Sequence, residues 1–190
     1  MLVADLHHHL DLSDDIPAPA RRLAEQLSSI VRAATAGDAG MAWMSSLPCR
    51  RRPSHRSCPG RTILLRPEPP APIQWKCSSC GDEGVISNWS DSPYDLSRRT
   101  LTLAGPLNQI VITDEVASAL RDLRLLDADS ERVVFAMRAD DTRIVLTATD
   151  DELDELIGFV AAEANHETTR RRQKRLDAAC DALSDADAGG

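Results

Sequence analysis

The segment QWKCSSCGDEGVISNW sets Cys77 and Cys80 two residues apart, with Gly81 directly behind them. Thiols at this spacing can hold a soft metal ion, exchange with disulfides or act as nucleophiles. In a C-x-x-C-G turn the backbone curls so that both sulfurs face one point. Glycine takes up the positive φ that commonly follows the second thiol. Two thiols make only half of a closed tetrahedral site. Upstream, LPCRRRPSHRSCPGR offers Cys49, His55 and Cys58, and Cys58-Pro-Gly has the form of the tight half of a second turn.

The competing chemistries fit less well. A redox dithiol needs a helix N-terminus behind it to lower the nucleophile's pKa. Here Gly81-Asp82-Glu83-Gly84 reads as an acidic turn leading into a strand. A zinc deaminase carries His-x-Glu upstream and Pro-Cys-x-x-Cys downstream. No His-x-Glu precedes Cys77, and Lys76 stands in the proline position. His166-Glu167 runs on into Thr-Thr-Arg-Arg, so His-Glu-x-x-His is missing as well. The plain alternative is buried thiols packed as small hydrophobes. Four of the five cysteines fall within residues 41–100, two of them in one turn, which favours a ligand set. Four donors fill a tetrahedral shell and leave no position for substrate. The expectation is one structural Zn2+ in a binding or adaptor module, with no catalytic residues; an enzyme with a site assembled from distant residues, such as His55 with an acid of the α+β part, is the third reading.

Short strands must position these donors. MAWMSSL, RTILLR, IQWK and GVISNW have strand character, and no helical period survives between residues 41 and 100. Pro67 to Pro72 forms a stiff link that reads as extended. Each pair of strands would make a hairpin with a cysteine-bearing tip. Two such tips facing one ion resemble the zinc-ribbon superfamily, over this segment only. The resemblance implies Cys49, Cys58, Cys77 and Cys80 as ligands. The first half is C-x8-C where the usual ribbon has C-x2-C, and His55 is an alternate ligand for Cys49 or Cys58. The layout LPCRRRP, CPG, WxCxxCGDEGVI also resembles that of uncharacterised bacterial proteins, which implies no activity.

The rest of the chain completes an α+β protein in four parts. Residues 1–40 read as a polar, acidic tail and an amphipathic helix over 18–36, with Leu23, Leu27, Ile30, Val31 and Ala34 at helical spacing. Residues 41–100 are the ribbon. Residues 101–165 read as a β-α-β-β-α unit. NQIVIT is its first strand, Thr113 caps its first helix, RVVFAMR and RIVLTAT form a hairpin across Asp140-Asp141, and Thr149 with Glu152 makes a capping box. Residues 166–190 read as a C-terminal helix with a Gly-Gly end that frays.

Charge bounds the function. The chain carries a net charge of -8, a pI near 5.1 and only 3% aromatic residues. It should repel nucleic acid and anionic membranes as a whole. No run is long enough to span a bilayer, the N-terminus lacks a secretory pattern, and the thiol count suits a reducing compartment, so a cytoplasmic location is expected. The abundance of Ala, Asp and Arg points to a GC-rich bacterial gene. Against the overall charge, Arg50, Arg51, Arg52 and Arg56 crowd the loop between Cys49 and Cys58. With Trp75 and Trp89 they form the expected contact surface, for a protein partner first and for nucleic acid as the alternative. Arg170, Arg171, Arg172, Lys174 and Arg175 are flanked by Glu163, Glu167, Asp177 and Asp181, and read as a solvated helix face. His7, His8 and His9 beside Asp11 read as surface, and Cys180 as packed on the last helix.

Overall fold

Helix α1 (Ala18–Ala36) buries Leu27, Ile30, Val31 and Ala34 along one stripe. Pro17 precedes it and Gly37 closes it. Its last carbonyls are satisfied by a side chain from far along the chain. Arg66 donates from Nε to the carbonyl of Ala34 (3.0 Å) and from Nη2 to that of Gly37 (2.9 Å). The guanidinium fork thus puts positive charge at the negative end of the helix dipole. The Trp43 indole lies so close over Gly37 that a Cβ there would sit 2.7 Å from its nitrogen.

This computed structural model describes residues 1–10, 15–97, 105–140 and 143–187. The chain divides into two compact units, Met1–Arg98 and Arg99–Gly190, so residues 1–40 share a unit with the cysteine-bearing strands. The fold class is mixed α+β, with a helix near each end of the chain.

In the first unit, β2 (Ala42–Pro48), β3 (Arg61–Leu65), β4 (Ile73–Cys77) and β5 (Glu83–Ser87) form an antiparallel meander. Alternation decides which face is covered. Trp43, Leu64, Trp75 and Gly84 pair across the strands in one row, with Ile73 beside Ile86 in the next. Helix α1 lies against β2, β3 and β4. The opposite face carries Ile63, Leu65 and Val85 with Gln74 and Lys76, around a groove of about 260 Å³.

Two expectations for this unit are corrected. Residues read as an N-terminal tail include β1 (Leu2–Asp5), which pairs in parallel with β5 from Leu2 opposite Gly84 to Asp5 opposite Ser87. Four residues are too few to display a period, so only the free edge of β5 reveals the strand. The proline link, expected to be extended, turns back on itself, with the Ala71 N–H donating to the Glu68 carbonyl (3.1 Å). Of the histidine run, His7, His8 and His9 lie in a 3-10 turn, and Asp11 is outside the described residues.

The second unit pairs β6 (Asn108–Ile112) and β7 (Arg138–Asp140) on either side of β8 (Arg143–Ala148). Thr113 caps α2 (Asp114–Arg121), and Thr149 with Glu152 closes a full capping box on α4 (Asp150–His166). Asp127 caps an unexpected helix, α3 (Ala128–Phe135), accepting from the Ser130 N–H (2.8 Å). Most of RVVFAMR, read as a strand, therefore belongs to this helix, and only Arg138 starts β7. Its β-branched run buries Val133, Val134 and Phe135 equally well in helical form, and the Asp127 cap settles the matter. Of the expected turn, Asp141 lies outside the described residues, as does the Gly-Gly end.

Helix α5 (Arg170–Asp187) packs on α4 and α2 through Leu176, Ala179 and Leu183. Its basic residues are partly spoken for within the unit. Arg172 bridges Glu163 and Glu167, and Arg175 reaches Asp122 (3.1 Å). The Thr169 N–H and Arg172 draw the Glu167 carboxyl down to about 2. Among the described residues no helix is long and apolar enough to cross a membrane.

Replacing Arg66 by Ala should destabilise the first unit by about 1–2 kcal/mol, because two carbonyls at the end of α1 lose their charged donor. Urea unfolding followed by tryptophan fluorescence reads this, since all three tryptophans lie in that unit. Lysine should restore less than half, as an ammonium lacks the fork that serves both oxygens.

Candidate metal centre

The two halves of the site come from the ends of strands. β2 runs out at Pro48 and delivers Cys49; β3 begins at Arg61, just after Cys58-Pro59-Gly60. β4 ends at Cys77, and the turn to β5 carries Cys80 and Gly81. Because β3 and β4 are neighbours, with Thr62 opposite Cys77, both cysteine-bearing ends lie at the same end of the sheet.

Backbone hydrogen bonds stitch these ends together. The Cys49 N–H donates to Gly60 O (2.9 Å), Cys58 N–H to Arg51 O (3.0 Å) and Ser78 N–H to Arg61 O (2.9 Å). Ser78 Oγ returns the favour by accepting from the Arg61 N–H (2.9 Å). Gly81 has φ +70°, the left-handed conformation the C-x-x-C-G pattern requires.

The result is one cluster of four sulfurs, from Cys49, Cys58, Cys77 and Cys80, all within 4.8 Å of one another. Cys49 Sγ lies 3.6 Å from Cys80 Sγ, and Cys58 Sγ 3.7 Å from Cys77 Sγ. A disulfide would need about 2.05 Å. A tetrahedron with zinc–sulfur bonds of 2.3 Å has edges of about 3.8 Å, close to both distances. Four backbone N–H groups point at sulfurs: Arg51 at Cys49 (3.4 Å), Gly60 at Cys58 (3.4 Å), and Ser79 (3.3 Å) and Cys80 (3.4 Å) at Cys77. Such donors favour thiolate over thiol. The donor set therefore suits a soft divalent cation, of which zinc is one.

The thiols titrate unequally. Burial opposes ionisation of Cys77, but the N–H groups of Cys80 and Ser79 and the neighbouring thiols outweigh it and bring Cys77 down to about 7. Burial pushes the Cys49 thiol well up. At Cys58 the Gly60 N–H favours the thiolate, yet burial and the Cys77 and Cys80 thiols win and raise it. Without a cation, then, Cys77 ionises before Cys49 and Cys58.

The arginine-rich loop divides by role. Arg50 Nε and Arg51 Nε lie 3.5 and 3.6 Å from the Asp82 carboxylate, whose side chain is only 11% exposed. These two residues of the first half thus clamp the second. Arg50 also lies over the Trp75 ring, 6.0 Å from its centroid. Arg61 donates to Ser46 O (3.2 Å), and Arg66 caps α1. Arg52, His55 and Arg56 stay exposed on a short turn in which Ser54 and His55 hold positive φ. His55, the alternate ligand, stands outside the sulfur cluster.

Both tryptophans expected on the contact surface are inside. Trp75 is 6% exposed and Trp89 2%, with Trp89 Nε1 donating to Ala71 O (2.9 Å). Alternation with Gln74 and Lys76 on β4 turns Trp75 inward, and the Ala71 acceptor holds Trp89, so neither offers a ring for stacking.

Two contributors were not singled out from sequence as parts of the site. A Cβ on Gly60 would lie 2.4 Å from Cys77 Sγ, so the cluster needs a bare backbone there. Asp82 is the other; its only signal is an acid directly after the C-x-x-C-G turn, facing an arginine run earlier in the chain. Cys180 is half-buried on α5 and takes no part in the cluster. Comparison with protein families, curated proteins and solved structures finds none that this chain matches.

Removing both clamping arginines (Arg50→Ala with Arg51→Ala) should weaken metal binding about tenfold, or ~1.4 kcal/mol, because a buried carboxylate is left beside the thiolates. The matched pair Arg52→Ala with Arg56→Ala should leave it within about twofold. Competition with a chromophoric chelator measures both. Equal losses in the two double variants would show that Asp82 is no clamp.

Proposed function

We propose that Cys49, Cys58, Cys77 and Cys80 hold one structural Zn2+, closing a zinc ribbon that serves as a binding module for a protein partner. The observation that carries this is the closed cluster of four sulfurs with edges of 3.6 and 3.7 Å. With four thiolates the shell is full, which suits support rather than catalysis. In small zinc modules the metal supplies about 10–16 kcal/mol of apparent free energy, more than so short a meander gains from its own core.

The partner would meet the exposed tip, Arg52, His55 and Arg56, and the open sheet face around Ile63, Leu65 and Val85. The apolar residues on this sheet face favour a protein partner. The second reading, nucleic acid, draws its support from Arg52 and Arg56, which have no carboxylate partner among the described residues. The net charge of -8 and the burial of Trp75 and Trp89 weigh against it.

Cobalt substitution tests the metal. The expected spectrum has tetrahedral bands and the charge transfer of four thiolates, weakened in Cys49→Ser and unchanged in His55→Ala. A spectrum insensitive to Cys49→Ser, or one lost with His55→Ala, would reassign the fourth ligand and reopen catalysis. Chelation should abolish the calorimetric transition of the first unit, Met1–Arg98, and leave that of the second. A thermogram unaffected by metal removal would end the structural role. For a captured ligand, binding that collapses between low and moderate salt would favour nucleic acid over a packed protein interface.

A further inference from the structure

The four sulfurs are not equivalent. Cys58 and Cys77 are buried, at 6% and 7% exposure, and between them accept the N–H bonds of Gly60, Ser79 and Cys80. Cys49 is half-buried and accepts one, from Arg51. Cys80 is exposed, and among the described residues no N–H reaches its sulfur. Each N–H bond draws charge from a thiolate and blunts it as a nucleophile. The sulfur without an N–H donor is therefore also the most exposed of the four. Its partner along the 3.6 Å edge is Cys49, the next most exposed.

We infer that Cys80 is a site of oxidative modification, and that hydrogen peroxide converts the outer edge of the cluster into a Cys49–Cys80 disulfide with loss of the metal. The inference rests on the zinc reading above. In the first step the Cys80 thiolate attacks one peroxide oxygen. The O–O bond breaks, hydroxide leaves, and Cys80 becomes a sulfenic acid. In the second, the Cys49 thiolate attacks the Cys80 sulfur; the S–S bond forms, the S–O bond breaks and a second hydroxide leaves. Two thiolates have given two electrons to one peroxide, whose oxygens end as two waters after taking up two protons. Cys58 and Cys77 remain as two ligands, half of what a closed site needs.

Geometry favours this pair over its alternatives. The sulfurs must approach from 3.6 Å to about 2.05 Å, a shift taken up in the turn around Cys80 and the loop after Cys49. The buried pair, Cys58 and Cys77, is only slightly farther apart at 3.7 Å, but Gly60 is pressed against Cys77 and no peroxide reaches it. Proximity alone does not choose between the two edges. Exposure and hydrogen bonding do.

The test uses the full chain carrying Cys180→Ser, so that the four clustered thiols are the only ones present. Metal content is measured first, and hydrogen peroxide is then added in steps. The expected result is one zinc released per disulfide formed, with Cys49 and Cys80 joined in the peptide map. Dithiothreitol with added zinc should reverse both. A Cys58–Cys77 linkage, scattered pairings, sulfinic acid without a disulfide, or zinc retained throughout would overturn the inference and leave the metal reading intact. A chain that holds no zinc before peroxide is added would overturn the metal reading, and the release with it.

Discussion

Four cysteine sulfurs converging at one end of a sheet pose an electrostatic problem. As thiolates they repel one another; as thiols they are soft groups gathered where N–H donors aim at negative charge. A divalent cation at their centre answers both difficulties, and much of the first unit is arranged as if it were there. Backbone bonds between residues 49 and 60 and between 51 and 58 close the first hairpin tip, and one between 61 and 78 joins it to the second. Gly60 leaves room for Cys77, and Asp82 draws two arginines across the join. None of these features is worth much alone. Together they hold four donors at metal-ligating separation.

The arginine-rich loop shows how misleading a linear charge run is. In one dimension it is a single cationic patch; in three it is shared among unrelated duties. Arg50 and Arg51 serve Asp82, Arg61 holds a strand carbonyl, and Arg66 closes α1 from the far end of β3. Among the described residues of the tip, Arg52 and Arg56 are the arginines left without a carboxylate partner. The groups that answer these arginines, Asp82 and three backbone carbonyls, are distant in sequence, so no local pattern gives the pairing away.

What was legible in the sequence follows from which signals are local. The C-x-x-C-G turn, the stripe of α1, the Thr113 cap and the Thr149–Glu152 box each complete themselves within a few residues, and each appears in the structure. The misses depended on tertiary context. β1 exists because β5 has a free edge, and α3 exists because Asp127 caps a run that β-propensity assigns to a strand. Trp75 and Trp89 looked like contact residues because nothing nearby announced the acceptor for one or the covering helix for the other. The Cys49–Cys58 spacing gave no template for its loop, whose positive-φ residues, Ser54 and His55, carry no glycine to mark them.

The parallel pairing of β1 with β5 has a consequence for synthesis. Leu2 leaves the ribosome before every other element of its unit, yet its partner Gly84 is the last strand of that unit to be made. The edge of the sheet thus stays open until both hairpins, and every cysteine of the cluster, have emerged. Such long-range closure is slow compared with hairpin formation. The nascent unit therefore has all four clustered cysteines before its first strand can dock, and the two events are ordered by the direction of translation itself.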